Sequence, residues 1–311
     1  MAGPGGSAAV GGADGGTAWL RAMPAVFVLI WSTGFIVARY GMPHAPPLSF
    51  LSLRYLLSVG CFLIWIALAR VAWPRGAAQW GHLGLTGVLM HGGYLGGVWA
   101  AVRSGMGAGT VALIVGLQPL LTALWVSAQA RSPLTGQALR EPVTPRQWAG
   151  LLLGQGGLLL VVWHKLGIGE VTAANLSLGL LALASITVGT LYQKRHVAPC
   201  DVRSANAVQL MAALAVTAPL ALLESAPVVW HPALVGALAW SVLALTLGGS
   251  SLLYLLIQRG AATRVTSLLY LVPPCTALMA WGLFGETLGG LTLAGVAMCV
   301  LGVAWVVRES H

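Results

Sequence analysis

The chain has 311 residues, 58% of them apolar and only 7% charged, with a mean hydropathy of +0.85. Soluble domains carry about 25% charge, so a cytosolic enzyme, a secreted disulfide scaffold and a disordered chain are excluded in favour of a polytopic membrane protein. The net charge of +9 belongs in loops facing an anionic leaflet and not on nucleic acid, because no basic run is interleaved with aromatics.

Residues 1–21 are rich in Gly and Ala and lack the charged start and apolar centre of a signal peptide, so they read as a disordered tail. Ten apolar segments follow, at 23–40, 49–70, 80–104, 107–129, 147–165, 175–195, 204–224, 233–258, 263–284 and 288–307. A membrane helix needs about 20 residues, so ten spans leave no room for a soluble domain. The chain is expected to be all-α, with the 130–146 link, bearing Arg131, Arg140 and Arg146, as its only long connection.

The first span carries Trp31 and Ser32 at its centre. The second carries Arg54 about one and a half turns inside; the preferred reading is snorkelling outward, the alternative is attraction of a carboxylate-bearing solute. In the third, His91 and Tyr94, spaced i and i+3, share one face, and Gly92/Gly96 and Gly93/Gly97 permit close helix approach. Gln118 precedes Pro119 in the fourth span, and Gly150/Gly154 in the fifth serve either a homodimer or an internal contact. The sixth holds Ser185 and Thr187, and the eighth a stripe of Ser250, Tyr254 and Gln258. The ninth holds Thr263, Ser267 and Tyr270, followed by Pro273 and Pro274.

Polar groups at this depth must find a partner or line a cavity. The candidate solute-binding set is therefore Trp31, Ser32, His91, Tyr94, Gln118, Ser185, Thr187, Ser250, Tyr254, Ser267 and Tyr270, with Pro119, Pro273 and Pro274 as hinges. For each hydroxyl the competing reading is a bond to its own helix backbone. His91, if it lines the pathway, supplies a group for proton exchange. No Asp or Glu lies at the centre of a span; Glu224 and Glu286 sit at helix ends, which disfavours cation export by carboxylate exchange. The cysteines Cys61, Cys200, Cys275 and Cys299 form no CxxC spacing, and no zinc, paired-carboxylate or GxxxxGK[ST] signature is present. Neither a metal, a cofactor nor enzymatic activity is expected.

Orientation follows from the basic residues. With the N-terminus inside, twelve Lys and Arg fall on the inner side and four (Arg39, Arg54, Arg103, Lys165) on the outer, so both termini are expected in the cytoplasm.

The chain also aligns with itself. At a shift of 155, Ser32 and Gly34 fall on Thr187 and Gly189, Arg54 on Gln209, and Trp99 and Gly105 on Tyr254 and Gly260. The shift becomes 154 for Pro119, Thr122, Ala123 and Leu124, which meet Pro273, Thr276, Ala277 and Leu278. It becomes 145 for Glu141, Gly150 and Gly157, which meet Glu286, Gly295 and Gly302. Five spans per half is an odd number, so the second half enters from the opposite side, as in many secondary transporters.

The stretches Pro119–Trp125 with Glu141–Gly157, and Pro273–Trp281 with Glu286 through Gly302, resemble EamA domains of the drug/metabolite transporter superfamily. Glu141 departs from the pattern, displaced behind a proline-rich insert; Glu286 matches it. The resemblance implies a first repeat at 22–165 and a second at 166–308, inverted relative to each other. It further implies alternating access, with spans 1–4 and 6–9 around a cavity and spans 5 and 10 outside it. The expected protein is a secondary transporter of the bacterial inner membrane, exporting a small neutral or zwitterionic, amino-acid-like metabolite. Its partners are that solute and the surrounding lipid. A multidrug or cation efflux carrier is the alternative, ahead of an intramembrane enzyme or a passive channel.

Overall fold

The computed structural model describes residues 13–118, 121–122, 125, 145–167, 169–250, 252 and 271–308. Among them every regular element is helical: α1 (Ala13–Gly41), α2 (Pro47–Ala69), α3 (Ala77–Gly87), a π-helical segment π1 (Val88–Gly93), α4 (Tyr94–Arg103) and α5 (Ala108–Val115). Then come α6 (Pro145–Gly167), α7 (Ala173–His196), α8 (Val202–Ala221), α9 (Pro232–Trp240), a second π-helical segment π2 (Ser241–Gly249), α10 (Val272–Phe284) and α11 (Gly290–Arg308). Among the described residues four helices are long and apolar enough to cross a membrane: Pro47–Ala69, Ala173–His196, Val202–Ala221 and Pro232–Gly249. Their outward faces, with Leu68, Leu180, Leu181, Leu222 and Leu243 exposed, are apolar surfaces suited to lipid.

Helix α1 begins at Ala13, ahead of the first apolar span; a helix once nucleated by that span extends at the gain of one hydrogen bond per residue. The segments 80–104 and 233–258 each pass through a π segment, and a shift of 155 carries 88–93 onto 243–248, inside π2. Both segments are rich in small residues, and wider winding leaves carbonyls to be served from outside the ladder. In π1 the Tyr55 hydroxyl donates to the His91 carbonyl at 2.8 Å, and in π2 the Thr246 hydroxyl donates to the Ser241 carbonyl at 2.8 Å.

Helix ends follow local chemistry. α2 opens with Pro47 at its first position, where a missing N–H costs nothing. α5 stops at Val115, whose carbonyl would look to residue 119 for a donor, and Pro119 has none. Pro119 itself lies outside the described residues. Pro273 and Pro274 sit in the first turn of α10, a position that suits proline.

The start of α7 is a capping box: Thr172 accepts from the Asn175 backbone N–H while the Asn175 side chain accepts from Thr172 N–H. Thr172→Ala is expected to lower stability by about 1 kcal/mol, read as a lower Tm in detergent; an unchanged Tm would remove this cap from the account.

Small residues set the closest approaches, as expected where lipid competes with Leu for apolar contact. A β-carbon on Gly97 would lie 2.7 Å from the Leu178 carbonyl, and one on Gly93 would lie 2.9 Å from the Ser185 β-carbon. The pair Gly93/Gly97 is thus what brings π1 and α4 onto α7, whereas Gly92 and Gly96 face looser surroundings. The Gly150/Gly154 backbone receives Gly302 of α11, so this pair makes an internal contact. The Cys299 thiol also reaches the Gly154 carbonyl at 3.3 Å.

Candidate functional site

The centre of the molecule holds a polar cluster built from α2, π1, α4, α8 and π2. Arg54 lies seven residues beyond Pro47, about 10 Å along the axis of α2, and is only 8% exposed. It therefore does not snorkel outward as the sequence suggested. Its Nε and Nη2 both donate to the Thr246 hydroxyl, at 3.2 and 3.1 Å. The phenols of Tyr55 and Tyr94 lie within electrostatic reach of the guanidinium.

His91 stands beside this group. Its ring meets Tyr55 edge-on at 6.0 Å and pairs with the Gln209 side chain. Gln209 is the residue that the internal alignment sets opposite Arg54, and the two now flank one histidine. The backbone of Gln209 packs directly on Gly87. One turn along α2, the Ser58 hydroxyl is fully buried with no hydrogen-bond partner among the described residues, and the same holds for Ser241 at the start of π2.

The predicted residues divide into three sets. His91 and Tyr94 belong to the cluster. Ser32, Thr187 and Gln118 are engaged elsewhere: the Ser32 hydroxyl donates to Val28 of its own helix at 2.7 Å while its carbonyl accepts from Thr276 of α10 at 3.2 Å. Thr187 donates to Leu183 at 2.7 Å, and Gln118 donates to the Thr190 hydroxyl at 3.0 Å. Ser185 packs on Gly93, Trp31 lies half-buried against Phe27, and Ser250 is half-buried just past π2. Pro119, Tyr254, Ser267 and Tyr270 lie outside the described residues.

Thr246, Tyr55, Gln209 and Ser58 complete the cluster and were not singled out as binding residues. Ser58 is one turn from Arg54 on the same face, and Gln209 was its repeat mate, so two of the four carried a signal. Thr246 carried none beyond its place in a glycine-rich span.

A second polar set occupies the end of the bundle where α2 and α5 begin. Glu224 accepts from Leu48 N–H, Ser49 N–H and the Ser49 hydroxyl, at 2.9, 2.8 and 2.7 Å. Glu286 accepts from Ala108 N–H and Gly109 N–H at 2.8 and 3.3 Å, and Glu170 from Gly107 N–H and the Thr110 hydroxyl at 3.1 and 2.6 Å. Helix starts expose unpaired N–H groups with a partial positive charge, so each carboxylate is stabilised where it lies. The rings of His44 and His231 stack at 4.3 Å, and Val229 N–H donates to the His44 carbonyl at 2.8 Å. These contacts tie residues of the first half of the chain to residues of the second.

Comparison with known proteins adds the following. The sequence profile of the EamA-like transporter family matches residues 22–163 and 174–308. A probable amino-acid metabolite efflux pump of Salmonella typhimurium is 25% identical over 89% of this chain and 90% of its own. Its namesake in Escherichia coli is 24% identical over 84% and 75%. The uncharacterized inner membrane transporter YedA of Escherichia coli is 27% identical over 89% and 87%. A solved crystal structure shares the fold, with a TM-score of 0.65 at 20% identity over 95% of this chain and 99% of that one.

Proposed function

The chain belongs to the EamA-like transporter family, and from that membership we propose that it is a bacterial inner-membrane secondary transporter exporting a small amino-acid-like metabolite by alternating access. The observation that carries this reading is the polar cluster of Arg54, Tyr94, His91, Gln209 and Thr246, drawn from both halves of the chain and lined by both π segments. A buried polar cluster among apolar helices gives a small solute the hydrogen-bonding groups it needs, whereas a purely structural bundle keeps such groups out.

Support for two opposed five-helix units, 22–165 and 166–308, comes from the two successive profile matches and from π segments at one register. Such units exchange roles between an inward-facing and an outward-facing form. The amino-acid-like solute and the outward direction follow the relatives named as amino-acid metabolite efflux pumps. The basic residues favour cytoplasmic termini, and in that orientation the end carrying Glu170, Glu224 and Glu286 faces the periplasm. Roles in solute binding for Tyr254, Ser267 and Tyr270, and in hinging for Pro119, Pro273 and Pro274, belong to the same proposal.

Counterflow in proteoliposomes tests the reading. Labelled amino acid should enter faster when unlabelled amino acid is trapped inside, because a carrier returns faster loaded than empty. Equal rates with and without trapped solute indicate a channel. Exchange of tetraphenylphosphonium with no exchange of any amino acid would replace the proposal with cation efflux.

A further inference from the structure

We propose that the Arg54 guanidinium docks the carboxylate of the transported solute, which narrows the substrate class to monocarboxylates, amino acids among them. The inference rests on the transporter reading above and concerns the same polar cluster.

Arg54 is a buried cation whose described partner is a neutral hydroxyl. Its side chain is 8% exposed, and no carboxylate among the described residues pairs with it. A charge in such surroundings is strongly unfavourable unless an opposite charge and further hydrogen bonds meet it. The Thr246 hydroxyl has committed its single proton to the Ser241 carbonyl, so its lone pairs take Nε and Nη2 of Arg54. Guanidinium carries five N–H groups in a planar fork, and Nη1 has no partner among the described residues. The fork that remains has the geometry of a bidentate carboxylate bond.

A second observation points to the same place. Ser58, one turn along α2, is fully buried and its hydroxyl has no partner among the described residues, and i, i+4 spacing puts it on the Arg54 face. Buried hydroxyls without a partner are rare in folded chains. The Tyr94 hydroxyl can donate to a remaining lone pair of a carboxylate, and the oxygen of Tyr55, whose proton goes to the His91 carbonyl, can accept from an ammonium group. One guanidinium matches one negative charge; a phosphate dianion would leave a buried charge uncompensated.

The test is a thermal-shift and calorimetric titration of the purified full chain with alanine, leucine and phenylalanine. Each is compared with its amide, which lacks the carboxylate, and its deaminated acid, which lacks the amine. Concentrations run to about 10 mM, above the range in which small-metabolite sites commonly saturate. Acids are expected to stabilise the protein and amides to bind at least roughly tenfold more weakly, the loss of one charge-assisted hydrogen bond. Equal response to amino acid and deaminated acid assigns recognition to the carboxylate alone; preference for the amino acid adds an ammonium site. Arg54→Met is expected to melt at or above the parent temperature without ligand, since an unpaired buried charge is removed, and to lose the response to acids. A purely structural Arg54 would lower that temperature instead. If Arg54→Met does not fold, Arg54→Lys, which keeps the charge without the fork, should fold and respond more weakly.

Equal binding of amides and acids, or no response to any acid, overturns the proposal. Failure of the two readings is distinguishable. Counterflow of amides or cations leaves a carrier without carboxylate docking; Arg54-dependent acid binding with no counterflow leaves docking without a carrier.

Discussion

Gly87→Leu is expected to abolish recovery of folded protein. A β-carbon at this position would lie 2.6 Å from the Cα of Gln209 and would fall on its carbonyl oxygen. That neighbour is backbone and cannot rotate away, so α3 and α8 must separate. Overpacking a tight core costs about 1–3 kcal/mol and more where backbone has to move, and here the displaced residue also holds His91. The graded pair Gly87→Ala and Gly87→Leu should show falling Tm and then loss of a single peak in size-exclusion chromatography. A Gly87→Leu protein that elutes and melts like the parent would mean that the two helices do not meet at this point.

Glu286→Gln should speed amide exchange at the start of α5, and Glu224→Gln should do the same at the start of α2. Each change should leave the other helix as it was. First-turn N–H groups have no partner inside their own helix, so protection of Ala108 and Gly109, or of Leu48 and Ser49, depends on the carboxylate that accepts from them. An amide keeps one acceptor oxygen but turns an N–H₂ towards the other donor. A loss of about 2 kcal/mol corresponds to roughly 30-fold faster exchange, which mass spectrometry of peptides across 44–56 and 104–116 would resolve. Unchanged exchange in both variants would remove the carboxylates as the seal at this end. Loss of protection across the whole bundle would make them determinants of global stability instead.

Much of the architecture was legible because lipid imposes a simple rule: long apolar runs broken by short polar links. Four of the predicted segments correspond to full-length apolar helices, and shorter apolar helices lie at Ala25–Gly41, Trp148–Leu160, Val272–Phe284 and Gly290–Gly302. His91 and Tyr94 were legible as polar groups too deep to be casual. Arg54 was misjudged because the sequence gives depth along a helix and not what surrounds it; Thr246 arrives from a segment almost two hundred residues away and Tyr94 from a third helix. The hydroxyls divided by a rule that single-chain reasoning states but cannot apply, since Ser32 and Thr187 turned to their own backbones while Ser58 did not. The glutamates were correctly set at helix ends, yet each proved to serve the start of a different helix.

The two looser windings have a practical consequence for anyone numbering faces along these rods. An α-helix turns about 100° per residue, and a π turn takes in roughly one residue more. The phase of the stripe before Val88 therefore does not carry past Gly93, nor that before Ser241 into π2. A helical wheel drawn through Ala77–Arg103 in one piece assigns outward-facing and core-facing positions correctly on one side of the interruption and rotates them on the other. Scanning substitutions along that rod have to be phased separately on the two sides, or side chains that face the core will be scored as though they faced the bilayer.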